Sequence, residues 1–288
     1  MGEITLQQAL DEFKTVYMPA RNLAARTREE YSNDLRAFID FLEKAGVTKT
    51  GEVSTLYVDR YLANLDELGY SGSTRKRKAI TFRSFLSFLY RNSYISHDIS
   101  QQVILPFPEY PVPRILTQTE YQRLLETCSN NVRDKAIITL LIQTGIRLSE
   151  LTRLSVSDIY IPEAINIVGS NSRKGRTIPL NSKACEALQA YFMVRQASKY
   201  LNLFLNKFGK PLGERGVQKI IMKYFRYAEI IGASVHSIRH TFAVQHITKG
   251  TSLKTIQEVM GHRDIRTTES YIPLTQDLSK KELEEHTL

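Results

Sequence analysis

The chain has 288 residues, 42% of them apolar and 24% charged, which is the composition of a folded globular protein with room for two ordinary domains. No run approaches the roughly 18 apolar residues of a membrane span, and the N-terminus MGEITLQQAL lacks a signal peptide's basic and apolar regions, so a cytoplasmic location is expected. Lys and Arg number 39 against 30 Asp and Glu, a net charge of +9 that points to a polyanionic partner such as nucleic acid, since neutralised phosphates release counterions.

In chain order, the N-terminal third reads as helices. Leu6 to Tyr17 is amphipathic. Thr27 followed by Glu30 has the spacing of a capping box and opens a run in which Tyr31, Leu35, Phe38, Ile39 and Leu42 recur at helical intervals, with Gly46 placed to stop it. Leu56 to Leu68 is a third helix. A fourth, Ser73 to Asn92, carries Ala79, Phe82, Leu86 and Leu89 on one stripe. Its first turn puts Arg75, Lys76, Arg77 and Lys78 at the positive end of the helix dipole, where each cation costs roughly 0.3–1 kcal/mol. A bound phosphate backbone would offset that cost, so these four are expected to contact DNA.

Pro106, Pro108, Pro111 and Pro113 fall within PFPEYPVP, where proline density forbids a helix and favours an extended linker. Thr117 and Glu120 make another capping-box signature, above Tyr121, Leu124 and Leu125. Arg133 to Gln143 is a strongly apolar helix with Gly145 as its C-cap. Ile159-Tyr160-Ile161 and Ile165 to Val168, broken by Pro162-Glu163, predict a β-hairpin, with Arg176 to Pro179 as a third strand. Helical patterns follow at 183–196, 214–230, 237–248 and 252–260. Cys128 and Cys185 sit inside helical patterns as small core residues rather than ligands or a disulfide.

Four short segments of the C-terminal half carry chemistry: Thr144 to Leu151 (TGIRLSEL), His236 to His240 (HSIRH), Gly261-His262, and Thr267 to Tyr271 (TTESY). Guanidinium forks match a phosphate's non-bridging oxygens bidentately, which suits Arg147 and Arg239 to gripping one phosphodiester. Taken alone, Arg147 with Glu150 three residues on is a common surface pairing. His236 and Arg239 share a helix face by their spacing. His236 and His240 at i, i+4 have zinc-helix spacing, but Ser237 stands where the metalloprotease motif needs Glu, and no metal or other cofactor is expected. A phenol has a pKa near 10 and must lose its proton as it attacks, so nearby guanidinium groups would help Tyr271.

Two arginines, two histidines and one tyrosine in this order resemble the active site of the tyrosine recombinase, or phage integrase, family, over roughly residues 114–275. The resemblance implies a mainly α fold with four parts. Residues 1–105 would be a helical DNA-binding domain (core-binding, SAM-like) and 106–116 a Pro-rich linker. Residues 117–272 would be a mixed, mostly helical catalytic domain with a small antiparallel sheet, and 273–288 a tail, with Leu274, Leu278 and Leu283, that docks in a neighbouring subunit. The two domains would clamp duplex DNA.

It implies a site-specific recombinase, independent of metal and ATP, that forms a 3′-phosphotyrosine at Tyr271 and exchanges strands through a Holliday junction. Its partners would be a double-stranded site with inverted repeats, three further copies of itself, and accessory proteins. Arg147, Arg239, His236 and His262 would surround the phosphate, with Glu150 and His240 orienting neighbours. The family places a lysine in a β-turn after the first arginine box to protonate the leaving 5′-oxygen; here ungapped spacing puts Asn171 there. Lys174 is the only lysine of that turn and is the candidate acid, with Arg173 and Arg176 beside it as DNA contacts. The chain begins directly at the helical domain, which resembles the compact Xer-like or transposon-resolvase type and suggests service to a mobile element or to dimer and cointegrate resolution. A type IB topoisomerase, which nicks and reseals with nearly the same residues, and a catalytically silent DNA-binding protein of the same fold stay open.

Overall fold

A computed structural model describes residues 4–107, 112–169 and 175–275. It is mainly helical, and the chain divides into two units between residues 111 and 112.

In the first unit, Thr5 caps α1 (Leu6–Glu12): its hydroxyl accepts the Gln8 N–H at 3.2 Å, and the Gln8 side chain accepts the Thr5 N–H at 3.0 Å. The single helix expected to Tyr17 instead widens into a π-helical stretch, Phe13–Tyr17, before α2 (Met18–Ala20). That widening stacks Phe13 on Tyr17 at 4.6 Å while both rings stand 5.3 Å from Phe88. The next helix, α3 (Ala25–Lys44), starts before Thr27 and has no side-chain cap; the chain entering it is held by Arg28 Nε donating to the Leu23 carbonyl at 2.6 Å. Thr27 is therefore inside the first turn and not a cap. The helix ends just before Gly46, whose φ is +82°.

Two more helices, α4 (Thr55–Glu67) and α5 (Gly72–Arg91), complete the unit. Leu35, Phe38, Ile39 and Leu42 meet Val58, Leu62 and Leu65 and the Ala79, Phe82, Leu86, Leu89 stripe, all buried. Phe38 stacks on Phe82 at 4.5 Å.

The basic first turn of α5 is less bare than its sequence suggests. Asp34, 3% exposed on α3, receives Arg77 and, at 2.7 Å, Lys78; Asp66 on α4 receives Arg75 at 2.8 Å. Two carboxylates of the unit therefore already offset cations at this helix start, and a phosphate backbone is not needed to explain all four.

In the second unit, the Thr117–Glu120 capping box forms as spaced, with bonds of 3.2 and 2.9 Å, and starts α6 (Gln118–Thr127). Then comes α7 (Val132–Thr144), in which Ala136, Ile137, Ile138, Leu140 and Leu141 are all buried. A short α8 (Leu148–Arg153) follows, then β1 (Ile159–Tyr160), β2 (Ala164–Ile167) and β3 (Arg176–Pro179) in the antiparallel order β1-β2-β3. Ile165 pairs with both Ile159 and Ile178 and turns its face to the core.

The remaining helices are α9 (Ser182–Val194), α10 (Glu214–Tyr227), α11 (Val235–Thr248), α12 (Leu253–Met260) and α13 (Arg266–Glu269). The central helix α7 packs along α9 on one side and against α11 on another. Both cysteines are free and buried, and burial raises the Cys128 thiol pKa to about 11. A separate small apolar cluster gathers Phe242, Ala243, Val244, Ile256, Met260, Tyr271 and Leu274. Leu274, expected in a tail that leaves its own subunit, is thus buried here; Leu278 and Leu283 lie outside the described residues. Among the described residues no helix is long and apolar enough to cross a membrane.

Candidate active site

The apolar α7 ends at Gly145 in the left-handed conformation, φ +59°, and a Cβ there would stand 2.4 Å from the Phe242 ring of α11. Only glycine lets the two helices approach this closely. The chain then turns, and Arg147 becomes the N-cap residue of α8. Glu150, at the third position of that helix, reaches back: Arg147 donates its backbone N–H to Oε2 at 2.9 Å and its Nη1 to Oε1 at 3.0 Å. Arg147 Nη2 donates to the Gly261 carbonyl at 2.7 Å. The i, i+3 pair visible in the sequence is therefore a capping arrangement that aims a guanidinium across the domain.

The helix α11 supplies three residues with different fates. Arg239 is 8% exposed and donates to the Gly145 carbonyl and, at 2.6 Å, to the Met260 carbonyl. His240 is half-buried, with Nδ1 at 2.9 Å from the Tyr271 hydroxyl. His236 is exposed, its ring centroid 6.4 Å from that of His240, so the shared face inferred from three-residue spacing does not bury both His236 and Arg239. Past the α12 cap at Gly261, His262 Nδ1 meets the Thr268 hydroxyl at 2.9 Å. Tyr271 is 3% exposed and lies between the two histidine rings, 5.6 Å from His240 and 6.3 Å from His262 by centroids.

The charges explain one another. Burial pushes the Arg239 pKa down to about 9, with the Arg147 charge adding to the effect, so it remains cationic at neutral pH. Burial would raise the Glu150 carboxyl, but hydrogen bonds from Arg176 and the Arg147 backbone, with both arginine charges, bring it to about 2. That shift from 4.5 amounts to roughly 3 kcal/mol in favour of the charged form. Burial raises the Tyr271 phenol, opposed by Arg239 and Arg147, so the hydroxyl is protonated at neutral pH.

Burial lowers His240 and His262 to about 4, helped by His236 at the first and by Arg239 and Arg147 at the second. A histidine whose folded pKa lies below its unfolded value stabilises the fold fully above the unfolded value, and that contribution is lost as pH falls through the folded one. Both rings should stay neutral through pH 6 and 5. Proton NMR of the ring Cε1 resonances in the DNA-free protein should find both titrating near 4; a midpoint near 6.5 for either would contradict the buried geometry.

The structure thus brings together Arg147, Glu150, Arg239, His240, His262 and Tyr271, with His236 at the margin. Lys174, Arg173 and Asn171 lie outside the described residues. Arg75, Lys76, Arg77 and Lys78 belong to the other unit. Arg176, expected at the DNA surface, is instead 12% exposed by side chain and forked onto Glu150 at 2.9 and 2.8 Å, with Nε on the Val259 carbonyl. The period of the strand could have found it: Arg176 is two residues from Ile178, which is buried, so both fall on the inner face of β3.

Comparison with known proteins assigns the chain to a family. The model described as "Phage integrase family" matches residues 114–277, and "Phage integrase, N-terminal SAM-like domain" matches residues 10–93. The chain belongs to the phage integrase family, the family of tyrosine recombinases, enzymes that cleave and rejoin DNA at specific sites. Within it the chain is Xer-like. Tyrosine recombinase XerC of Halalkalibacterium halodurans is 32% identical to it, over 96% of this chain and 95% of that one. Among solved structures, that of XerA recombinase is 25% identical with a TM-score of 0.57, covering 98% of this chain and 99% of that one. A lambda integrase tetramer bound to a Holliday junction shares the fold at 18% identity and a TM-score of 0.77, over 94% of this chain and 78% of that one.

Proposed function

We propose that this chain is a recombinase acting in the cytoplasm on one short inverted-repeat DNA site, with Tyr271 as the nucleophile. The observation that carries the assignment is the Tyr271 hydroxyl set 2.9 Å from His240 Nδ1, with the charges of Arg147 and Arg239 near enough to act on the phenol. The phenol oxygen bonds to phosphorus as its proton is drawn through His240, its hydrogen-bond partner, towards His236 and the charge developing on the phosphate. The two arginines and His262 meet the charge that develops on the non-bridging oxygens. His236, exposed and 6.4 Å by ring centroid from His240, would bond a phosphate oxygen. The bond from phosphorus to the 5′-oxygen breaks, leaving a 3′-phosphotyrosine and a 5′-hydroxyl.

Lys174 protonates that leaving oxygen. It is the only lysine in the sequence between Asp158 and Pro179. Attack by a second strand's 5′-hydroxyl reverses the chemistry without ATP. Four protomers on two sites exchange strands pairwise through a Holliday junction, as the lambda integrase tetramer binds one. Residues 1–105 and 117–272 would act as the DNA-binding and catalytic domains, with Arg75, Lys76, Arg77 and Lys78 near the DNA backbone. Residues 273–288 would serve subunit contacts.

The test is covalent capture. The protein is incubated with sheared DNA from its source, denatured, and the DNA joined to protein is sequenced. Enrichment at one inverted-repeat site is expected; its position, within a mobile element or at a locus where replicon dimers are resolved, assigns the biological role. Diffuse capture would replace this assignment with a nicking-closing enzyme, and absence of capture with tight binding would replace it with a silent DNA-binding protein.

A further inference from the structure

The final turn of α12 leaves backbone carbonyls without intrahelical donors, at the negative end of the helix dipole. Three consecutive ones are taken by three different arginines. Arg176 Nε donates to Val259, Arg239 Nη2 to Met260 at 2.6 Å, and Arg147 Nη2 to Gly261 at 2.7 Å. Gly261, with φ +62°, has no side chain in the way: a Cβ there would lie 2.9 Å from Arg176 Nη1 and 3.2 Å from Arg147 Nη1. The guanidinium tips therefore rest on bare backbone.

Glu150 ties two of the three together. A carboxylate offers about four acceptor positions, and here Arg147 fills two and Arg176 the other two, at 2.8–3.0 Å. Three of Arg176's donors point inward, onto Glu150 and Val259, and none of its described bonds serves the surface. None of these bonds reaches Tyr271.

We propose that Arg176 is a positioning residue: by clamping Glu150 against the end of α12 it fixes the aim of the Arg147 fork and the place of His262. This rests on the assignment of Arg147 as a phosphate grip. Losing the clamp leaves Glu150 held by Arg147 alone, so Arg147 is drawn to its own carboxylate and away from the phosphate.

Two variants test it, Arg176→Gln and Arg176→Lys, with three measurements: covalent capture on sheared source DNA, non-covalent retention of the same DNA, and amide hydrogen exchange at residues 261–263 of the protein alone. Misplacing a reacting group by about 1 Å can cost on the order of 10²-fold, so capture by Arg176→Gln should fall by about that factor. Retention should stay within about threefold, since no phosphate contact is lost, and exchange at 261–263 should quicken. Lysine, a point charge without the fork, should restore part of the loss. Parallel loss of capture and retention would make Arg176 a DNA contact and overturn the proposal, as would normal capture despite quickened exchange. If the unaltered protein captures nothing, the catalytic assignment itself fails, and unchanged exchange in Arg176→Gln would then separately remove the clamp.

Discussion

Replacing Tyr271 with Phe will abolish covalent capture of DNA while non-covalent binding stays within a factor of about two. The oxygen removed is the one atom that forms the phosphoester, and losing a nucleophile costs on the order of 10⁴ to 10⁶ in rate. The remainder of the ring is retained, so the cluster of Phe242, Val244, Ile256, Met260 and Leu274 keeps its packing. Among the described residues the polar loss is the 2.9 Å bond to His240, worth about 1 kcal/mol at the usual net value. A variant that folds, binds and cannot be trapped is the expected result. Trapping that survives the change would mean that another of the fifteen tyrosines attacks.

Removal of the Arg147 fork has the second largest effect. A fixed donor aimed at developing charge is typically worth roughly 3–4 kcal/mol, so Arg147→Ala should lower the cleavage rate on the captured site by about 10²- to 10³-fold. Arg147→Lys should recover little, because an ammonium cannot serve Glu150, Gly261 and a phosphate in one plane. Stability should fall only slightly, since Glu150 keeps both oxygens on Arg176 and the Gly261 carbonyl that loses its donor sits at a partly exposed position open to water. The contrast with Arg239 is instructive. Arg239→Ala would strip donors from the Gly145 and Met260 carbonyls in a buried setting, and each orphaned group costs about 1–3 kcal/mol. Thermal unfolding beside single-turnover cleavage separates the two: Arg147→Ala should lose rate at nearly constant Tm, Arg239→Ala should lose both. A large drop in Tm for Arg147→Ala would show that Arg147 is chiefly a brace.

How far the sequence could be read depended on how local each signal was. The Thr117–Glu120 cap, the Gly145 stop and the three-stranded sheet are set by residues close along the chain, at most 15 positions apart in the sheet, and each appears as spaced. Thr27 misled because a hydroxyl three residues before Glu30 has the right spacing whether or not the helix has already begun. Here it had, with Arg28 holding the incoming chain.

The site shows the same division. Arg147, Arg239, His262 and Tyr271 could be named from motif order, and the structure gathers them. Which distant carbonyl each arginine would meet could not be read, because those partners are 94 to 114 residues away in the bonds made by Arg239 to Gly145 and by Arg147 to Gly261. His240 is expected to orient neighbours, and its spacing from His236 alone does not reveal that it meets the tyrosine. The charge of Arg176 suggests a DNA contact, whereas its strand register turns it inward.

Asp34 and Asp66 alter how the N-terminal helices would behave in a salt titration. The start of α5 carries four cations, but Arg77 and Lys78 share Asp34, and Arg75 faces Asp66. Bound to DNA, this turn would displace the ions of about two phosphates rather than four, contributing a slope near −1.8 instead of −3.6 to log K against log[salt]. Asp34→Asn should steepen the measured slope by about one unit and raise nonspecific affinity at low salt; an unchanged slope would mean that α5 stands clear of the duplex. If α5 meets DNA, the buried carboxylate would act as a governor on stickiness, leaving the helix charged enough to find DNA yet able to let go of the wrong stretch.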